Sequence, residues 1–83
     1  MQQTQMPVEP DATLDITGDV CPMTFVRTRL ALDRLPSGAT LLVRLQGEEP
    51  LRNVPRSAKS LGHRVVHSEI EEAGATRLWI TKG

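Results

Sequence analysis

Eighty-three residues carrying ten basic and ten acidic side chains make one small domain with no net charge, which excludes a multidomain enzyme and argues against nonspecific duplex DNA binding. The single cysteine excludes an intramolecular disulfide and fits a reducing compartment, so a cytoplasmic location is expected. No apolar run approaches the ~18 residues of a membrane span, and one Phe, one Trp and no Tyr leave little to stack on RNA bases.

Residues 1–12 are polar, contain Pro7 and Pro10, and read as a disordered tail, leaving 13–83 as the domain. The first residues lack the basic start and apolar stretch of a signal peptide. Thr13 to Thr17 predicts a strand, Gly18-Asp19-Val20 a turn, and the apolar spacing from Met23 to Leu35 a helix.

Pro22 suits the first helical position, where its missing N–H would be unpaired anyway. Cys21 then falls at the N-cap, where the N–H groups of Met23 and Thr24 and the positive end of the helix dipole favour an anion. A thiolate so placed has a lowered pKa and is the nucleophilic form. Arg27 and Arg29, within two turns, add positive potential. The alternative is a small buried cysteine that caps the helix and has no chemistry.

That helix carries two stripes. Phe25, Thr28, Leu32 and Leu35 are assigned to the core; Met23, Val26 and Leu30 form a second stripe beside Cys21. The second stripe either packs on the next helix or is exposed as a docking surface for a protein that visits the thiol. Leu35-Pro36-Ser37-Gly38 stops the helix. Ala39 to Gln46 alternates as a half-buried strand, with Leu41, Val43 and Leu45 on one side.

Gly47-Glu48-Glu49-Pro50 reads as a loop and helix start, and Leu51, Val54, Ala58 and Leu61 make an apolar stripe. Pro55 should interrupt that helix and move its main body to begin near Pro55. Arg64 to Glu71 and Ala75 to Thr81 are strands joined by the Glu72-Ala73-Gly74 turn. Leu78 and Ile80 are expected inside, and Trp79 on the outer face.

The order β-α-β-α-β-β gives an α+β fold: a two-layer α/β sandwich with a four-stranded mixed sheet and two helices on one face. Between Pro22 and Val66 eight basic residues face three acidic ones. This is either two ordinary solvated helices or a basic face for an acidic partner or RNA.

His63 and His67 on one strand would lie roughly 13 Å apart at ~3.3 Å per residue, too far to share an ion, so no metal site is expected. Cys-x-x-Cys, Walker and dinucleotide motifs are absent from the sequence, and no cofactor is expected. A small domain with one activated thiolate is suited to accepting and releasing a group through sulfur.

Leu14-Asp15-Ile16-Thr17-Gly18-Asp19-Val20-Cys21-Pro22 resembles the Asp-x-x-Gly-x-x-Cys-Pro-x-Pro signature of the TusA/SirA/YedF family of small sulfur carriers. Leu35-Pro36-Ser37-Gly38, the strand at Leu41 to Gln46, Glu49-Pro50 with Val54-Pro55, Gly62-His63 and the closing Trp79 to Gly83 extend the resemblance over about residues 13–83. It implies a persulfide on Cys21, loaded by a cysteine desulfurase or rhodanese-like donor. An acceptor protein or pathway, such as tRNA thiolation, cofactor biosynthesis or sulfur oxidation, would receive the sulfur.

Two positions depart from the pattern. Thr24 stands where the second proline would be, restoring an N–H and adding a hydroxyl. Asn53 stands where many relatives carry an acid. The competing function is a non-catalytic interaction or regulatory module that uses the Met23, Val26 and Leu30 stripe, with Cys21 as a structural cap.

Overall fold

The computed structural model describes residues 9–19 and 23–83; residues 1–8 of the expected 1–12 tail, and Val20, Cys21 and Pro22, lie outside the described residues. The chain runs β1 (Ala12–Asp15), α1 (Met23–Asp33), β2 (Thr40–Leu45), α2 (Glu48–Ser60), β3 (Arg64–Ile70) and β4 (Thr76–Thr81). The sheet order is β1-β2-β4-β3, with β1 parallel to β2 and the other pairs antiparallel. This is the expected mixed four-stranded sheet with two helices.

Alternation along β2 sets the layers. Leu41, Val43 and Leu45 are fully buried and join Ile16, Leu32, Val54, Ala58, Leu78 and Ile80 in the core. Trp79 pairs in register with Leu42 and His67 on the outer face, as expected. It is nevertheless buried there, with the His67 ring edge-on at 5.0 Å and the Arg77 guanidinium 5.6 Å from its centroid. β3 is an edge strand, and its register slips between Val65 and His67, a β-bulge at Val66.

Boundaries and faces differ from expectation in several places. β1 begins at Ala12 and ends at Asp15, because the Asp15 carboxylate turns back onto Thr17 and starts the turn early. Just ahead of it, the Asp11 N–H donates to the Thr40 carbonyl and its carboxylate accepts from the Thr40 N–H, both at 2.8 Å.

In α1 the buried stripe is Thr24, Thr28 and Leu32; Phe25 and Leu35 are only partly buried. Thr28 tolerates its position because its hydroxyl donates to the Thr24 carbonyl at 2.8 Å, so that buried donor is satisfied. α2 is continuous through Pro55. The proline costs the single bond its N–H would give to Leu51, on the half-exposed side of the helix, while Val54 and Ala58 hold the turn to the core. The α2 stripe is likewise Pro50, Val54 and Ala58, with Leu51 and Leu61 exposed.

The last turn of α1 has no basic residue of its own. Lys82, just beyond β4, supplies one: its Nζ donates to the Leu32 and Leu35 carbonyls at 2.9 and 3.0 Å. The C-terminal residues thereby fix the far end of the helix whose near end follows Cys21.

Candidate functional site

Because β1 and β2 are parallel, α1 and α2 begin at the same end of the sheet. Three connections meet there: the Ile16–Asp19 turn, the β2–α2 loop and the β3–β4 turn. Cys21 lies in sequence between Asp19 and Met23, at the head of α1.

The turn is tied at both ends. Asp15 Oδ1 accepts from the Thr17 N–H at 2.9 Å and from its hydroxyl at 2.7 Å, and the Asp19 N–H donates to the Ile16 carbonyl at 3.0 Å. Arg27 reaches back to the turn and donates to Asp19 Oδ2 at 2.6 Å. On the sheet, Arg44 donates to both Glu71 oxygens at 2.9 and 2.8 Å and through Nη1 to Asp15 Oδ2 at 3.1 Å. One guanidinium thus joins β1, β2 and the start of the β3–β4 turn.

These contacts hold the Asp15 carboxyl below the usual range, chiefly through the Thr17 N–H, then its hydroxyl, with Arg44 adding less. Glu71 is held low chiefly by its hydrogen bonds from Arg44, and Arg44 is raised chiefly by Glu71. Depressed carboxylates contribute stability that is present above their unfolded pKa, about 4, and lost as pH falls through the folded values. Arg44→Met is therefore expected to be less stable than wild type at pH 7, with the gap narrowing towards pH 2. Urea midpoints at pH 7, 4 and 2 check this; a gap independent of pH contradicts it.

The two helix starts differ in charge. Glu48 and Glu49 sit in the first turn of α2 and offset its dipole, whereas the first turn of α1 carries no acid among the described residues. The positive end left uncompensated is the one that Cys21 precedes. Thr24, in that turn, is fully buried, and its hydroxyl has no hydrogen-bond partner among the described residues.

The second stripe of α1 is exposed: Met23 by 47%, Val26 by 39% and Leu30 by 54%. A groove of about 490 Å³ lined by Phe25, Val26, Arg29, Leu30 and Asp33 runs along one side of Leu30. A smaller one of about 180 Å³, lined by Leu14, Arg27, Leu30, Ala31 and Arg34, lies on the other. Arg29 stands over the first groove, 3.9 Å from Asp33, so the two arginines read together from the sequence have different surroundings.

Both histidines are engaged elsewhere. His63, at the opposite end of the sheet, accepts from the Gly83 N–H at 3.0 Å, and His67 on the outer face meets Glu69 at 3.0 Å. Neither pairs with a described residue at the head of α1. The Asp15–Arg44–Glu71 cluster was missed from the sequence; its only signal is the outward position of Arg44 on β2, and its partners emerge only with the strand register.

Comparison with known proteins agrees with this geometry. The family described as sulfurtransferase TusA matches residues 12–82. A protein of Archaeoglobus fulgidus provisionally named a sulfur carrier is 44% identical over 62 residues, covering 75% of this chain and 70% of that protein. The sulfur carrier protein TusA of Pseudomonas putida is 34% identical over 73 residues, covering 88% and 90%. The crystal structure of a SirA-like protein from Desulfitobacterium hafniense superposes with a TM-score of 0.77 at 25% identity, covering 87% of this chain and 97% of that one.

Proposed function

Since the chain belongs to the TusA family of sulfur carriers, we propose that it is a sulfurtransferase that holds sulfur as a persulfide on Cys21. The Cys21 thiolate attacks the outer sulfur of a donor persulfide. A sulfur–sulfur bond forms at Cys21, the donor's bond breaks, and the donor leaves as a thiolate with no net oxidation. A nucleophile of the acceptor then takes the outer sulfur and releases the Cys21 thiolate.

The observation that carries this reading is the family's Cys-Pro signature at the head of a helix whose first turn has no acid of its own. Pro22 sets the helix start, and the first-turn N–H groups of Met23 and Thr24 donate to the sulfur anion. Arg27 acts by holding Asp19, and Arg29 contributes positive potential.

Met23, Val26 and Leu30, flanked by Arg27, Arg29 and Arg34, form the surface on which donor and acceptor proteins dock in turn. The donor is a cysteine desulfurase or a rhodanese-like protein, and the acceptor serves tRNA thiolation, cofactor biosynthesis or sulfur oxidation. The setting is cytoplasmic, and no helix of the described residues is long and apolar enough to cross a membrane.

Intact mass spectrometry after incubation with a cysteine desulfurase, cysteine and pyridoxal phosphate tests the proposal. Wild type is expected to gain about 32 Da, removable by reductant, and Cys21→Ser to gain nothing while remaining folded. Equal loading of both proteins, or of neither even with polysulfide, overturns it. The second of those results favours the docking module without sulfur chemistry.

A further inference from the structure

Much of the positive charge on this chain is balanced within it. Arg27 pairs with Asp19, Arg29 with Asp33, Arg44 with Asp15 and Glu71, and Arg77 with Glu69, while Lys82 holds the end of α1. Arg52, Arg56 and Lys59 of α2 are different: all three are exposed, and none forms an ion pair with a described residue.

The helix buries Pro50, Val54 and Ala58. At about 100° per residue, Arg52, Arg56 and Lys59 point away from that stripe and make one outward ridge about 10 Å long. Like charges at i, i+3 and i, i+4 repel each other. In α1 Arg29 has an acid at i+4, Asp33, whereas α2 has no acid after its first turn, and Glu48 and Glu49 there form no ion pair with Arg52. Lys59, in the last turn, complements the helix dipole, but Arg52 and Arg56 lie too early in the helix to do so. Beside the ridge run the exposed Leu51 and the half-buried Pro55, also one turn apart. The outer face of α2 thus has a basic crest and an apolar flank.

We propose that this face docks an acidic amphipathic helix of a partner protein. Two carboxylates one turn apart on the partner meet Arg52 and Arg56, and an apolar side chain next to them covers Leu51. A nucleic-acid backbone suits the face less well. Its phosphates would run on from Arg52 to Glu48 and Glu49, and α2 carries no aromatic side chain on which a base could stack. The ridge is on a different helix from the Met23, Val26 and Leu30 stripe, and the interaction does not depend on sulfur chemistry at Cys21.

The test titrates the isotope-labelled full chain with three probes, followed by backbone amide NMR. The first is a helical peptide with Glu and Leu along one face, the second the same peptide with Ser for Leu, and the third a polyuridylate oligonucleotide. The Glu/Leu peptide is expected to shift the amides of Leu51 to Lys59 and to bind about tenfold more tightly than the Glu/Ser peptide, with affinity falling as salt is added. Arg52→Gln/Arg56→Gln is expected to weaken it about tenfold while keeping the urea midpoint of wild type. Leu51→Ala is expected to erase the advantage of the Glu/Leu peptide over the Glu/Ser one.

Equal binding of the two peptides, or shifts spread over the whole surface, overturns the proposal and leaves α2 an ordinary solvated face. Tighter binding of the oligonucleotide than of either peptide overturns it in favour of a phosphate-binding surface. Because no probe carries sulfur, either failure leaves the carrier reading of Cys21 untouched.

Discussion

Leu41→Ala is expected to lower the unfolding free energy by about 3 kcal/mol and the melting temperature by more than ~10 °C. Leu41 is fully buried on β2, between Ala12 of β1 and Ile80 of β4. Truncation there removes three carbons from the centre of the core and leaves a cavity that two paired strands prevent from closing. A domain of this length holds roughly 4–12 kcal/mol in total, so a single truncation can take about half of it. Leu41→Ile, which keeps the volume, is expected to cost less than about 1.5 kcal/mol. Thermal and urea unfolding of the two variants check the pair; equal losses would mean that the site relaxes around a cavity.

Gly47→Ala is the second large effect, about 2 kcal/mol of destabilisation. Gly47 precedes α2 with φ 108° and ψ 153°, a backbone conformation that only glycine adopts without strain. A Cβ there would also stand 3.4 Å from Pro50 Cδ, and the Gly47 carbonyl takes the first α2 bond, from the Leu51 N–H. The chain cannot relax φ without losing the helix start.

Gly18→Ala is the control, because Gly18 has no positive φ and, among the described residues, no atom within 4 Å of the added carbon. Its stability is expected to change by less than about 0.5 kcal/mol. Any loss of sulfur loading in Gly18→Ala is then a property of the turn before Cys21, not of folding. Urea midpoints of the two glycine variants, measured together, separate these cases.

Strands with strict alternation were legible from the sequence. Leu41, Val43 and Leu45 can only face one way, and burial followed. The faces of α1 were legible only in part: Thr28 and Leu32 were assigned to the core and are buried, whereas Thr24, equally buried, stood in neither stripe, and Phe25 and Leu35 are only partly buried. The bond from the Thr28 hydroxyl to the Thr24 carbonyl shows how a threonine tolerates the interior there. Pro55 misled in the opposite direction: proline chemistry predicts a break, but the packing of Val54 and Ala58 outweighs one lost hydrogen bond.

At the site, Cys-Pro and the stripe at Met23, Val26 and Leu30 are local patterns and were readable. The contacts of Arg27 with Asp19 and of Arg44 with Asp15 and Glu71 join residues eight to 29 positions apart. They depend on turn geometry and register that no local pattern encodes.

The bulge at Val66 has a consequence for life at high concentration. A sheet of four strands has two open sides along which another extended chain could add, the first step towards fibrils. Here one side is β1, four residues long, and the other is β3, whose ladder is broken between Val65 and His67. Neither offers the long regular row of N–H and C=O groups that strand addition needs. A sulfur carrier of this fold can therefore be abundant without polymerising.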